Sequence, residues 1–266
     1  SLTNVTSIFS SISSFAALLS NASVIAWGTQ DTGGTAPAGL DNVKTIRSTE
    51  KAFAALKQDG SVLAWGNIDG GGNAPAGLSG VKDIFCSRGA FAAVKLDGTV
   101  VAWGGSHYGG NLSVQLTNVD KIYSADAFFT AVQRDGRIEP ENVWSGSILN
   151  MPFTETLLNV TDVYCGSFQC LAFVRNADDG TVHARSWGHH DIAFDIPDPW
   201  EGEVYRVFAT CSAFAVLDQN GKVTIINYDK PDPVALQDIV AIYTTWDSFV
   251  TLSSTGIAYY WGNGPS

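Results

Sequence analysis

Residues 52–66 read AFAALKQDGSVLAWG and residues 90–104 read AFAAVKLDGTVVAWG, so one pattern returns after 38 positions. Residues 14–28, SFAALLSNASVIAWG, carry it again one period earlier. Inside the pattern a short apolar run, Ala52 to Leu56, meets the pair Asp59-Gly60 and then a second apolar run ending in Trp65-Gly66. Two such runs joined by Asp-Gly are the sequence signature of a tight β-hairpin. A hairpin repeated at a fixed period restricts the chain to architectures made by stacking one small unit, because a single unit cannot bury its own apolar faces.

The pair that opens each unit can be followed along the whole chain as Asn4-Val5, Asn42-Val43, Gly80-Val81, Asn118-Val119, Asn159-Val160, Glu203-Val204 and Asp238-Ile239. That makes seven units, with spacings of 38, 38, 38, 41, 44 and 35 residues. Each predicts three short strands. The second strand decides the packing: Phe53, Ala54, Ala55 and Leu56 are apolar on both alternating sides, so that strand must be covered on both faces. Similar sheets stacked around an axis achieve this, with small Ala at matched positions allowing close approach. Asp59-Gly60, Asp97-Gly98, Asp135-Gly136, Asp179-Gly180 and Asn220-Gly221 supply the positive φ expected of two-residue hairpin turns, and Asn21-Ala22 and Thr255-Gly256 depart from the pattern.

The phased Trp27-Gly28, Trp65-Gly66 and Trp103-Gly104, each followed by a glycine pair, read as wedges packed between sheets. Repeat four lacks Trp-Gly at phase, with Trp144 displaced, and repeat six has Asn227-Tyr228 there, so units four and six are expected to be irregular. The terminal pieces, joined, read as one abbreviated linker. The expectation is an all-β, seven-bladed β-propeller with small, mostly three-stranded blades, one domain over residues 1–266, its ring closed in the linker between the termini.

Composition narrows the function. Apolar residues make up 45% and charged residues 15%, as in a turn-rich globular β protein. The net charge of −11, with 15 basic against 26 acidic residues, argues against a nucleic-acid partner. No apolar run is long enough to span a membrane as a helix, so no membrane insertion is expected. No nucleophile elbow or phosphate-cradling loop is present, so the chain is read as no enzyme and as needing no cofactor. His189-His190-Asp191 and His107 fall in non-adjacent units, which disfavours a metal site, and Asp195, Asp198 and Glu201 read as a solvated loop.

The Trp-Gly-centred repeat with its Asp-Gly hairpin, seven times over the chain, resembles the superfamily of the regulator of chromosome condensation and the propeller-type β-lactamase inhibitory protein. The short period is more similar to the inhibitor branch. The resemblance implies a seven-bladed propeller that acts by binding proteins, without catalysis, while the acidic charge speaks against nucleosome binding.

In such units the turn between strands one and two lies on one face, called upper, with the Asp-Gly turns and strand-one starts on the lower face. Eight residues after each opening position stand Ile12, Glu50, Arg88, Asp126, Ser167, Cys211 and Trp246, seven different side chains at one place. Scatter of this kind marks either drift or recognition. Trp246, Asp247, Phe168 and Arg88, with Glu50, Asp126 and Ile12, form the expected partner-binding set, because aromatic and Arg anchors stand where folding needs none. The expected partner is another protein, with a lectin-like, glycan-binding propeller as the alternative.

Four N-glycosylation sequons, at Asn4, Asn21, Asn111 and Asn159, point to an extracellular or secretory-pathway location, three of them on the lower face. Cys86 and Cys165 share one position in non-adjacent units and are too far apart to bridge. Cys170 stands in place of the core Phe and reads most simply as a buried thiol, leaving Cys165–Cys170 and Cys165–Cys211 as the other pairings.

Overall fold

The computed structural model describes residues 2–146, 153–188, 200, 203–211, 213–227 and 236–262. The chain divides into two compact units, Ser1–Leu149 and Asn150–Ser266. The first holds four three-stranded antiparallel sheets: β1 (Val5–Ser10), β2 (Ser14–Leu19) and β3 (Val24–Gly28); β4 (Val43–Ser48), β5 (Ala52–Lys57) and β6 (Val62–Gly66); β7 (Val81–Cys86), β8 (Ala90–Lys95) and β9 (Val100–Gly104); β10 (Val119–Ser124), β11 (Phe128–Gln133) and β12 (Val143–Ser145). The second holds three: β13 (Val160–Cys165), β14 (Gln169–Arg175) and β15 (Val182–Gly188); β16 (Val204–Ala209), β17 (Ala213–Asp218) and β18 (Val223–Asn227); β19 (Ile239–Thr244), β20 (Ser248–Ser253) and β21 (Ala258–Gly262). Strand order within every sheet follows the sequence, so each sheet is a meander.

The opening pair has a backbone cause. Asn4, Asn42, Gly80, Asn118, Asn159 and Asp238 all take positive φ, between 54° and 68°. Gly enters that region freely, and Asn and Asp are the side chains that tolerate it best. Immediately after, the first strand of every sheet carries a register shift against the second, as between Val43 and Thr45. A bulge at one repeated place bends each strand alike and gives every sheet the same twist.

Consecutive sheets within each unit are stitched at the hairpin end. The Val43 N–H donates to the Ala22 carbonyl at 3.0 Å, Val81 to Gly60 at 2.9 Å, Val119 to Gly98 at 2.9 Å and Ile239 to Gly221 at 3.0 Å. Outside the fifth sheet the hairpin turns are three-residue loops rather than two-residue ones: the Lys57 N–H donates to Ser61 O and the Gly60 N–H to Lys57 O. One left-handed residue is enough for that loop, and Gly60, at φ 81°, supplies it.

The core lies between sheets. In the first unit Leu40, Ile46, Phe53 and Trp65 pack on Ala16 and Leu18 of the sheet before. Ile84, Phe91 and Trp103 repeat this contact on Ala52, Ala54 and Leu56, as do Ile122, Phe129 and Trp144 on Ala90, Ala92 and Val94. Phe53 stacks on Trp65 with ring centroids 5.2 Å apart, and the Trp65 indole N–H donates to the Gly33 carbonyl of the preceding sheet's loop at 3.0 Å. A Cβ on Gly33 would lie 2.5 Å from the Phe53 ring, so the glycine is what lets the ring in. The phased tryptophans beyond the first sheet are therefore the wedges the sequence implied.

Trp144 corrects the expectation for repeat four. It is in phase, pairing with Phe129 across the strands, stacking on it at 5.2 Å and donating to Gly109 O. The extra residues sit in the hairpin arm, where a 3-10 turn, Pro140–Asn142, precedes a shortened β12. In the sixth sheet Ile226, not Asn227, faces Phe214 where Trp stands elsewhere, and the sheet keeps three strands of ordinary length. Tyr228 lies outside the described residues.

Cys170 is bonded to Cys165, its direct cross-strand partner, and is not a buried thiol. Its small side chain leaves Trp187 without the usual Phe, and Phe153, from the linker ahead of β13, takes that place with its ring 5.2 Å from Trp187. Cys86 stays free, and burial pushes its thiol pKa up, which keeps it protonated at neutral pH.

Candidate functional site

The turns between first and second strands lie beside the ends of the third strands, as the Thr29 N–H to Ser13 O bond of 3.1 Å shows. In the first unit these turns form a continuous backbone chain. The Ile12 N–H donates to Glu50 O at 2.8 Å, Glu50 to Arg88 O at 2.9 Å and Arg88 to Asp126 O at 2.9 Å. The job of this position is done by its N–H and C=O, which any residue except proline supplies. Side-chain scatter at Ile12, Glu50, Arg88 and Asp126 is thus accounted for by the fold and does not by itself mark recognition.

The Arg88 guanidinium donates through Nε to Glu50 Oε1 at 2.8 Å. That bond is the first cause of the raised Arg88 pKa, and the ion pair is surface-exposed, worth about 0–1 kcal/mol. Ile12 is 65% exposed, the one apolar side chain of the four.

The second unit uses the same backbone device once among the described residues: the Cys211 N–H donates to Trp246 O at 2.8 Å. Trp246 is 59% exposed and meets Phe168 edge to face, centroids 6.0 Å apart at 88°. Phe168 belongs to the turn of the fifth sheet and Trp246 to that of the seventh, so this pair brings two non-consecutive sheets of the unit together. Asp247 accepts from the Ser248 hydroxyl at 2.9 Å. Phe168 sits in the four-residue loop closed by the Cys165–Cys170 disulfide, so its backbone is tethered at both ends. The resulting feature is an exposed indole backed by a ring on a fixed loop.

All four sequon asparagines are exposed. Three have another reason to be there. Asn4 and Asn159 occupy the left-handed opening position, and Asn21 accepts from the N–H and hydroxyl of Ser23, the bonds that Asp59 makes with Ser61. Asn111 has no such turn role. His107 lies in the 3-10 turn Ser106–Tyr108, and His189, His190, Asp191, Asp195, Asp198 and Glu201 lie outside the described residues. Among the described residues no three His, Cys, Asp or Glu side chains converge as metal ligands, and no helix is long and apolar enough to cross a membrane.

Sequence reasoning overlooked the arm of the fifth sheet. There Arg175, His183 and Arg185 line a cavity of about 420 Å³ with the linker residues 155–159. The signal was available as the 44-residue spacing of that repeat.

Seven three-stranded meanders with a shared bulge and shared inter-sheet stitching define the blades of a β-propeller. Solved structures agree. The chain matches the ectodomain of the Physcomitrella patens receptor kinase CR4 with a TM-score of 0.56 at 15% identity, over 97% of this chain and 72% of that one. It matches the CRINKLY WD40 ectodomain of the Arabidopsis thaliana receptor kinase ACR4 with a TM-score of 0.53 at 13% identity, over 98% and 96%. Yeast RCC1 (Prp20), solved bound to Kap60, matches with a TM-score of 0.50 at 16% identity, over 97% and 70%. No family model matches the sequence, and no curated protein matches it. The fold is that of a seven-bladed β-propeller.

Proposed function

We propose that the chain is a non-catalytic binding module that engages another protein through the strand-one-to-two turns of its second unit, with Trp246 as anchor and Phe168 and Asp247 beside it. The observation that carries this reading is the exposed Trp246–Phe168 pair. Trp246 contributes nothing visible to any core cluster, yet its ring is held by an aromatic neighbour and its carbonyl by Cys211. Exposed, preorganised Trp is the side chain most enriched among residues that dominate protein interfaces. In the first unit the same turns carry one apolar and three charged side chains, Ile12, Glu50, Arg88 and Asp126. That yeast RCC1 was solved with Kap60 bound lends support by fold analogy alone.

The test compares Trp246→Ala and Phe168→Ala with the wild-type chain. Immobilised wild-type protein retains a partner from the native source, and Trp246→Ala loses it, while the melting temperature stays within about 1 °C because little buried area is removed. A large melting shift would place Trp246 in the fold's core, and unchanged retention would place the site elsewhere. A specific hit on a glycan array would replace the protein partner with a sugar.

The same proposal places the protein in an oxidising, secretory compartment. It is supported by the Cys165–Cys170 bond and by the exposed Asn111 sequon. Mass spectrometry of the native protein should find Cys165–Cys170 bonded and Asn111 carrying a glycan. Reduced cysteines with a bare Asn111 would reverse this placement.

A further inference from the structure

We propose that the hairpin arm of the fifth sheet is a binding pocket for a small oxyanion, a phosphate or carboxylate head, gripped by Arg175 and Arg185. The repeats provide the control. From the opening position to the Trp of the third strand, the second and third sheets use 23 residues and the fifth uses 28. The five extra residues lengthen β14 and β15 to seven residues each and enlarge the loop between them. The other sheets stack without this extension, so stacking does not require it. What it adds is part of the lining of the cavity of about 420 Å³, to which Glu155, Leu157 and Asn159 also contribute.

The charge there runs against the rest of the molecule. A chain of net charge −11 with 15 basic residues places two arginines and a histidine in one cavity, whose lining among the described residues contains a single carboxylate, Glu155. At the place of Arg175 the second and third repeats have Gln58 and Leu96. His183 and Arg185 are two apart on β15 and share a face of the sheet.

These groups are oriented by the protein. Arg175 donates one Nη1 hydrogen to Gly180 O at 3.0 Å, and Arg185 one to Ala184 O at 2.9 Å, which ties each guanidinium to a backbone carbonyl. The Thr181 hydroxyl gives its proton to Asp179 Oδ1 at 2.7 Å, so its 3.2 Å contact with His183 has the imidazole Nε2–H as donor. Planar guanidinium forks match the two-oxygen edge of phosphate or carboxylate, which is why arginine recurs where such heads are recognised. Glu155 and Asn159, in the same lining, suit hydroxyl donors on the rest of the ligand. The pocket sits at the hairpin end of β14, with the Phe168 turn at the strand's other end, so this inference stands independently of the partner reading.

The experiment titrates the full chain with inorganic phosphate in one arm and malonate in another, at ionic strength held constant with chloride. A saturable rise in melting temperature is expected in at least one arm, and the arm that saturates at lower concentration identifies the head. In Arg175→Gln/Arg185→Gln the apparent affinity should fall about tenfold or more. Backbone amide NMR of the wild-type chain gives a readout that does not depend on the variant folding: shifts should be confined to residues 155–159 and 175–185. No saturable rise in either arm, an equal rise in the double variant, or shifts scattered over the molecule would overturn the assignment.

Discussion

Phe15 and Phe53 hold the same place in consecutive sheets, each opposite and stacked on its own Trp, at 5.5 Å from Trp27 and 5.2 Å from Trp65. Yet Phe53 is fully buried while Phe15 is 44% exposed, and Ile8 at 59% contrasts with Ile46 at 0% in the same way. The difference lies in what precedes each sheet. Phe53 is covered by the Gly33 loop and by Ala16 and Leu18 of the sheet before it, whereas the first sheet has no earlier sheet in its own unit. Each repeat therefore encodes half of two interfaces and the whole of none. The stacked Phe–Trp pair is set by the sheet itself, and its burial by a neighbour.

The sharpest way to break that comparison is to truncate both rings. Phe53→Ala should cost about 3–5 kcal/mol, since it removes a fully buried ring and leaves a cavity between two sheets. Phe15→Ala should cost about 1–2 kcal/mol, in proportion to the area it has removed from water. Urea unfolding of the two variants measures the gap. Equal losses would show that the face of the first sheet is covered in solution as fully as that of the second.

Much of this was legible in the sequence because repeats are their own alignment. Asp59-Gly60 and Asp97-Gly98 announce the left-handed hairpin residue, and Trp65-Gly66 announces the wedge, so strand count and stacking follow. Positions governed by distance along the chain were read less well. Trp144 looked out of phase because an insertion in the hairpin arm moves it in sequence without moving it in the sheet. Phe153 was invisible, since a linker residue replacing a missing core ring has no phase to betray it. At the turns, scatter among Ile12, Glu50, Arg88 and Asp126 was read as a sign of recognition, but it is what a purely backbone role permits. The sequons carry a related ambiguity: Asn4, Asn21 and Asn159 also meet demands of local geometry, which a motif does not distinguish from a glycan acceptor. Trp246 differs from these positions, because exposure of a large ring has no such local cause.

The hairpin turns extend the comparison on a finer scale. Ala22 holds φ 63° where the second sheet has Gly60 at 81°. A left-handed alanine is strained by about 1–2 kcal/mol. Replacement by glycine removes that strain while costing about 0.4–1 kcal/mol through the unfolded chain. Ala22→Gly should therefore stabilise by about 0.5–1 kcal/mol, seen as a higher urea midpoint. No gain, or a loss, would mean that the Ala22 methyl makes a contact that outweighs its strain.

The smallest effect concerns the residue before. Asn21 and Asp59 accept the same two hydrogen bonds, from Ser23 and Ser61, but only the aspartate titrates. The Ser61 hydroxyl and N–H hold the Asp59 pKa below its ordinary value, and Thr99 and Thr181 do the same for Asp97 and Asp179. Because the folded-state pKa is lowered, the stabilisation is complete above the unfolded value of about 3.9 and is lost as pH falls through the lower folded value. Asn at the three positions accepts the same bonds at every pH, as Asn21 already does. The triple variant Asp59→Asn/Asp97→Asn/Asp179→Asn should thus lose less stability than the wild-type chain between about pH 4 and pH 2. If urea midpoints of the two proteins fall in parallel over that window, the turns do not contribute to acid sensitivity, and the charge on Asp59 is irrelevant to how its loop closes.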